Sequence, residues 1–168
     1  NAISSACGGS CTCTANDDAA NGGHGTHVAG TMVGNGYLSL MQRGLTAWAT
    51  AADPSFDYAF AVGQAPEARI GVVHTSASGG GLCISAITDW TTLYNQGARA
   101  VNNSWGNSTT TYGGNARYAD NVMWTYQDYL IVTSAGNSGP GPDTVSQPGT
   151  AKNILAVGAA GNHRSVWP

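Results

Sequence analysis

The sequence predicts an α/β fold, with a mostly parallel β-sheet and helices on both faces. Two patterns support this prediction. From Ala68 onward, short apolar runs rich in branched residues alternate with amphipathic segments of helical period. The resulting order is strand, helix, strand, helix, strand, strand, and buried strands joined by helices are typical of parallel sheets. The length of 168 residues fits one domain with a substantial core.

Four segments are predicted to be strands, each bounded by polar residues, glycine or proline. In open parallel sheets, ligands bind beyond the carboxyl ends of the strands. Candidate functional residues are therefore expected just after Thr75, Asn103 and Ala135. The predicted strands are Ala68–Thr75, Ala98–Trp105, Tyr129–Gly136 and Asn153–Ala160.

Two helices are predicted between these strands. The first covers Ile84–Gly97, with Ser85 as a candidate N-cap and Gly97 as the stop signal. The second covers Asn115–Asp128, where apolar residues recur at spacings of three and four. The segment Gly34–Gly63 is rich in aromatic residues and follows neither the helical nor the strand period.

Charge is scarce in this chain. Charged residues make up 9% and the net charge is −3, against about 25% charged residues in an average globular protein. Such a surface offers no basic patch for phosphates, so neither a nucleic acid nor an anionic membrane is an expected partner. No run of eighteen apolar residues is present, so no membrane-spanning segment is predicted. The first residues show neither a starting Met nor a signal-peptide pattern, so the start is expected to be processed or truncated.

The four cysteines, Cys7, Cys11, Cys13 and Cys83, are even in number and permit three disulfide pairings. If all are oxidised, at least one bridge reaches Cys83, because the other three are clustered. A metal site is the alternative, since C-x-x-x-C-x-C supplies three thiolates, but the usual zinc spacing C-x-x-C is missing. Disulfides are favoured, and they predict an extracellular or periplasmic location.

The stretch "GGHGTHVAGT", from Gly22 to Thr31, places two histidines at the start of a predicted helix. As a zinc motif it is poor, because the common helical motif has histidines four residues apart and a glutamate beside the first. In a purely structural interpretation, His24 caps the helix and His27 packs inside it. In a catalytic interpretation, a histidine is the general base, since its ordinary pKa of about 6.5 suits that role.

The run "HGTHVAGT" resembles the segment around the catalytic histidine of subtilisin-like serine proteases. Three further segments resemble parts of that family in the same order: "VNNSWG" the substrate-binding strand, "SAGNSG" the segment with the oxyanion-hole asparagine, and "QPGTAKNILAVGAA" the stretch after it. The resemblance covers about 21–160, with an apparent insertion at about 34–63. It implies a subtilisin-like fold and a single partial peptidase domain over residues 1–168.

The resemblance implies roles for individual residues. His24 would be the general base, His27 a structural neighbour, and the side-chain amide of Asn137 a donor to the oxyanion. Without the resemblance, an asparagine in a Gly-Asn turn is simply a good turn former, and Trp105 is equally well a core aromatic. A small residue at Ser146, near the base of a side-chain pocket, would admit a fairly large substrate side chain. The implied substrate-binding residues are Ser104, Trp105, Gly106, Ala135 and Gly136.

The sequence departs from the family at the other two members of the catalytic triad. No aspartate is followed by Ser-Gly or Thr-Gly, the context of the family's acid, and neither Asp17 nor Asp18 is assigned that role. The family's Gly-Thr-Ser-Met-Ala segment is also missing, and Ser165 lacks the context of a nucleophile. Either the chain is the central part of a protease domain, or it is a scaffold without catalysis. The first is favoured, because a noncatalytic scaffold has no need to retain both His24 and Asn137.

The resemblance therefore predicts a secreted or periplasmic serine endopeptidase that acts on peptide or protein substrates. The remaining parts of its own catalytic domain are a further expected partner. No cofactor is expected to be required. Relatives often bind structural calcium, and Gly149, Ala151 and Ile154 match one calcium loop in position, but no metal ligand is assigned. The alternatives are a module that binds peptide along Val101–Gly106 without cutting it and, more weakly, a metal protein using the two histidines and the cysteine cluster.

Overall fold

The computed structural model describes residues 3–7, 22–36, 62–74 and 86–161. The chain divides into two compact units, Asn1–Ile84 and Ser85–Pro168. The first contains β1, α1 and β2, and the second contains α2, β3, α3, β4 and β5. In chain order the elements are β1 (Ile3–Cys7), α1 (His24–Val33), β2 (Gly71–His74), α2 (Ala86–Asn95), β3 (Ala100–Asn103), α3 (Gly114–Thr125), β4 (Leu130–Ser134) and β5 (Leu155–Val157).

The second unit contains a parallel sheet of order β3-β4-β5. Helix α3 connects β3 to β4, and α3 packs against both α2 and β4. Each strand lies inside the segment predicted for it but is shorter at both ends. The predicted α/β class with a parallel sheet is confirmed.

The core of the second unit lies where α2 and α3 meet each other and the sheet. On α3, the small residues Ala116 and Ala119 are fully buried with Val122, so the predicted spacing of three forms the inner face. In β4, Ile131 and Thr133 are buried and Leu130 is exposed, as the alternation of a strand requires. The buried apolar side chains are Trp90, Leu93, Ala116, Ala119, Val122, Tyr129 and Ile131.

Helix α2 ends as the sequence predicts. Gly97 has a φ of 100°, in the left-handed region that glycine tolerates best. Its N–H donates to the Tyr94 carbonyl (2.9 Å), and the N–H of Ala98 donates to the Leu93 carbonyl (3.0 Å). This pair of bonds is the Schellman arrangement and satisfies carbonyls at the end of the helix. The predicted N-cap, Ser85, lies outside the described residues.

Helix α3 ends at Thr125, three residues before its predicted end. The carboxylate of Asp128 lies beyond the helix, where it accepts a hydrogen bond from the Tyr94 hydroxyl (2.7 Å) and pairs with Arg99 Nε (2.9 Å). The bond from Tyr94 lowers the pKa of Asp128, and the same bond raises the pKa of Tyr94. These interactions join the turn before β4 to the end of α2.

Two buried polar side chains connect the elements of this unit. Asn103 is 4% exposed; its Oδ1 accepts from the Trp90 indole N–H (2.9 Å), and its Nδ2 donates to the Val132 carbonyl (3.1 Å). On α3, Asp120 Oδ1 accepts the backbone N–H groups of Lys152 (2.9 Å) and Asn153 (2.8 Å). Asn103 therefore joins α2, β3 and β4, and Asp120 fixes the loop before β5 to α3.

The first unit contains a parallel pair of strands, β1 and β2, and the helix α1. Strand β1 was not predicted, because "ISSAC" is short and lacks a run of branched apolar residues. The ends of the segment Gly34–Gly63 meet: Asn35 and Val62 form an antiparallel bridge, and the Gly63 N–H donates to the Gly34 carbonyl (2.7 Å). An insertion between these positions would therefore begin and end at adjacent points of the fold. Within the described ranges, no helix is both long and apolar enough to span a bilayer.

Replacing Asn103 by leucine should lower the free energy of unfolding by about 1–3 kcal/mol, because the buried Trp90 indole and the Val132 carbonyl lose their partner. Urea denaturation followed by tryptophan fluorescence measures the loss. The matched control is Asn102→Leu, an exposed position on the same strand, where a change within about 0.5 kcal/mol is expected. Equal losses in both variants would contradict the assignment.

Stability should fall between about pH 10 and pH 12 because of Tyr129. Its ordinary pKa is about 10, and burial raises the pKa to about 12. The folded state therefore retains a proton that the unfolded chain releases, so the contribution is complete below pH 10 and is lost as the pH rises through 12. The Tyr129 hydroxyl has no hydrogen-bond partner among the described residues. Tyr129→Phe should therefore reduce this alkaline loss without lowering stability at pH 7; an unchanged alkaline slope in urea denaturation would refute the prediction.

Candidate functional site

The candidate site lies at the carboxyl ends of β3 and β4. Asn103 is paired with Thr133 at the end of this parallel register, so the chain leaves both strands at one edge of the sheet. A cleft of about 280 Å³ opens there. Its described lining consists of Ser104, Trp105, Gly106, Asn107, Ser108, Thr110, Ser134, Gly136, Asn137, Ser138, Thr144 and Ser146. The expectation of a site after Asn103 and Ala135 thus coincides with a real cavity, while Thr75 lies outside the described residues.

The structure brings most of the predicted substrate-binding residues together in this cleft. The residues that follow β3 form one wall, and Gly136 and Asn137, which follow β4, form the other. Ala135 is placed differently. Its N–H donates to the Val157 carbonyl (2.9 Å), so it still belongs to the sheet ladder and is not part of the cleft lining.

Ser146 lies between the two walls. Its Oγ is 2.8 Å from the position that a Cβ on Gly106 would occupy, and 3.1 Å from the corresponding position on Gly136. Gly136 also has a φ of 92°, which disfavours any other residue. Both glycines therefore leave room for the Ser146 hydroxyl, and that hydroxyl occupies the space between them. We refer to the Ser146 hydroxyl, which lies between the two walls, as the base of the cleft.

The cleft is polar but uncharged: its described lining carries hydroxyl and amide side chains and no ionisable group. Some of these groups are held by local hydrogen bonds. Asn102 Nδ2 donates to Ser104 Oγ (2.9 Å), and the Thr109 N–H donates to Asn107 Oδ1 (2.9 Å). The side chain of Asn137 is exposed on the cleft surface. Such a lining can hydrogen-bond a peptide without the desolvation cost of buried charges.

Trp105 lies between the core and the cleft, the two placements that the sequence left open. Its ring is stacked on that of buried Trp90, with 6.3 Å between centroids and 18° between planes. Trp105 itself is half-buried and lines the cleft. Because Trp90 is held by Asn103, the buried network beneath the sheet also supports a wall of the cleft.

The two histidines belong to the first unit. His24 is the first residue of α1, and the N-cap is Gly23, which has a φ of 73° and makes no side-chain cap. His24 and His27 are both exposed. The purely structural interpretation is therefore wrong on both points, since His24 does not cap the helix and His27 does not pack inside it.

A metal site receives no support from the part of the chain that the structure describes. Within those residues, no group of three or more His, Cys, Asp or Glu side chains is placed to hold a metal ion. Several predictions lie outside the described residues and stay predictions. They concern Asp17, Asp18 and Ser165, and the disulfides that involve Cys11, Cys13 and Cys83.

Sequence reasoning missed part of the site. The polar run after Gly106 supplies Asn107, Ser108 and Thr110 to the cleft lining. Their position after a predicted strand was a usable signal, since the same rule had selected Ser104. Gln147 gave no such signal, because its hydrogen-bond partners lie far away in the sequence.

Comparison with known proteins identifies similar chains. The sequence model of the subtilase family matches residues 6–167. The chain is 31% identical, over 86% of its length, to a serine protease/ABC transporter B family protein, tagA, of Dictyostelium discoideum. It is 31% identical over 81% of its length to the minor extracellular protease Vpr of Bacillus subtilis, and 30% identical over 82% to pyrolysin of Pyrococcus furiosus. The matches cover 8%, 14% and 11% of those three proteins.

Gly106→Ala should destabilise the protein by about 1–3 kcal/mol, the usual cost of forcing an atom into a packed site. The new methyl group would meet Ser146 Oγ at 2.8 Å and the Gln147 carbonyl at 3.0 Å. Adding Ser146→Gly to this variant removes the first clash and should restore part of the loss. Thermal unfolding of the two single variants and the double variant measures this coupling, and strictly additive effects would contradict the placement of Ser146.

Proposed function

The chain belongs to the subtilase family of serine peptidases, and on this basis we propose that it supplies the general base, the oxyanion donor and the substrate cleft of a serine endopeptidase. The observation that carries the proposal is the convergence of Asn137 with Ser104–Gly106 in one cleft at the carboxyl ends of β3 and β4. The exposed His24 at the start of α1 is the proposed base. Peptides or proteins are the proposed substrates.

In this proposal the substrate binds as an extended strand. The backbone of Ser104–Gly106, just beyond β3, would hydrogen-bond the substrate backbone, as edge strands do when they accept a peptide. One substrate side chain would enter the cleft between Gly106 and Gly136 and end against the Ser146 hydroxyl. The absence of a side chain on either glycine leaves room for the Ser146 hydroxyl between the walls, and this hydroxyl would limit how deep the substrate side chain enters.

Catalysis would proceed by acyl transfer to a serine that the complete enzyme provides. That serine oxygen attacks the carbonyl carbon while His24 accepts its proton, and the side-chain N–H of Asn137 stabilises the negative charge on the carbonyl oxygen. The C–N bond then breaks, and His24 returns the proton to the leaving amine. Water repeats the sequence on the acyl-enzyme and releases the carboxylic acid.

A second candidate is a peptide-binding module without catalysis. The sequence supports this candidate, because these 168 residues contain neither the sequence context of the family's acid nor that of its nucleophile. The two candidates share the cleft and differ only in cleavage. A peptide that binds the complete protein and stays intact would favour the module.

Location and calcium are further parts of the proposal. A secreted or periplasmic enzyme accords with the name of the extracellular relative Vpr and with the cysteine content. A structural calcium ion is proposed without assigned ligands; the loop that contains Gly149, Ala151 and Ile154 matches a calcium loop of the family in position. This loop is a reasonable candidate because Asp120 fixes its backbone through the N–H groups of Lys152 and Asn153, but no acidic side chain of the described residues is assigned to the ion.

Asn137→Ala in the complete enzyme should lower kcat by about 10² to 10³ with little change in KM. This magnitude was measured for an oxyanion donor of subtilisin, a member of the same family, and is adopted here. A donor that acts only in the transition state affects kcat and kcat/KM equally. Steady-state hydrolysis of a fluorogenic peptide measures the effect, with His24→Ala expected to be at least as damaging.

The matched control is Asn95→Ala, an exposed asparagine at the end of α2, for which wild-type kinetics are expected. A wild-type kcat for Asn137→Ala would contradict the proposed oxyanion role. A wild-type kcat for His24→Ala would contradict the proposed base.

A further inference from the structure

We propose that Gln147 is a positioning residue of the cleft, a role that rests on the proposed function. Its side chain would fix the base and one wall of the cleft to the N-terminus of α3. Gln147 is 4% exposed although it lies in a loop, between half-buried Ser146 and a proline. A buried amide requires hydrogen-bond partners, and the partners of Gln147 connect three separate parts of the second unit.

The side chain of Gln147 caps α3. Its Oε1 accepts the backbone N–H groups of Asn115 (3.1 Å) and Ala116 (3.4 Å). The first N–H groups of a helix have no partner within the helix, and the local N-cap, Gly113, has no side chain to offer. Gln147 therefore performs from a distant loop the role that an adjacent serine or aspartate usually has.

The backbone of Gln147 holds a wall of the cleft. Its N–H donates to the Thr109 carbonyl (2.9 Å), and its carbonyl accepts from the Asn107 N–H (3.0 Å). These two bonds fasten the segment that follows Gly106. Ser146, the adjacent residue, contacts both walls at the base of the cleft. A shift of the Gln147 peptide would therefore move the base and one wall together.

The amide is tightly enclosed. A Cβ on Gly113 would lie 2.6 Å from Gln147 Nε2 and 3.1 Å from its Oε1. The φ of Gly113 is −146°, which alanine adopts without strain. Gly113→Ala therefore displaces the amide while leaving Gln147 itself unchanged, and provides a second, independent way to break the same contact.

The test uses the complete enzyme and two peptides that differ only in the residue whose side chain enters the cleft, leucine or alanine. The quantity measured is the ratio of kcat/KM for the leucine peptide to kcat/KM for the alanine peptide. This ratio does not depend on how much of the enzyme is folded, so a purely stabilising role would not change it. Gln147→Met keeps the side-chain length but cannot accept the two N–H bonds, and it should lower the ratio about tenfold, the lower end of the discrimination that one methylene group provides in a pocket.

Two further variants test the same contact between the Gln147 side chain and the N-terminus of α3. Gly113→Ala should lower the ratio as Gln147→Met does. Gln147→Glu should keep the ratio at its wild-type value, because a carboxylate still accepts both N–H groups and is favoured at a helix N-terminus. The control is Asp120→Ala. Asp120 lies on α3 and is also a buried acceptor of two backbone N–H groups, but it does not line the cleft. This variant should lower the melting temperature and leave the ratio unchanged.

The outcomes separate this role from the proposed function. If the wild type cleaves both peptides and the ratio is the same in Gln147→Met, the positioning role is overturned and the protease function stands. An equal change of the ratio in Asp120→Ala would also overturn it, since general loosening would then explain the effect. If the wild type cleaves no peptide, both the proposed function and the role of Gln147 fail.

Discussion

The parallel pairing of β3 with β4 is the constraint on which the candidate site depends. Asn103 pairs with Thr133, and this register brings Ser104–Gly106 beside Gly136 and Asn137. A shift of one residue would turn alternate side chains to the opposite face, and the two walls of the cleft would no longer face each other. The buried contacts of Asn103 with α2 and β4 help to fix this register.

The second unit uses amides and small residues where many proteins use charge. Asn103 and Gln147 are buried amides that satisfy backbone groups or an indole, and Asp120 does the same as a carboxylate. Each joins elements that are distant in sequence. The exposed Arg99–Asp128 pair contributes little by comparison, since ion pairs in water are weak. In this unit of low charge content, hydrogen-bond geometry and close packing around glycine therefore determine which elements contact each other.

Local patterns predicted most of the elements well. The apolar runs located β2 to β5, the spacing of alanines located α3, and Gly97 marked the end of α2, because each signal arises from neighbouring residues. The end of α3 was missed because Asp128, just beyond it, interacts with Tyr94 and Arg99, which are distant in sequence. The cap by Gln147 was missed because Gln147 is distant in sequence from α3. Strand β1 was missed because its sequence is short and lacks a run of branched apolar residues, so that only its pairing with β2 marks it as a strand. Half of the residues that line the cleft were predicted. Ala135 was predicted there as well but does not line it, since one more ladder hydrogen bond keeps it in the sheet.

The proposed function requires that this chain belong to a working serine protease. The most direct test combines intact mass with labelling by a fluorophosphonate probe, which reacts with activated serines, on the natural protein that carries this sequence. The account predicts that the label is taken up by a serine outside these 168 residues, on a longer polypeptide or an associated one, and that heat-denatured protein is not labelled. A mass equal to that of the 168 residues, with no labelling of the native protein, would contradict the proposed function.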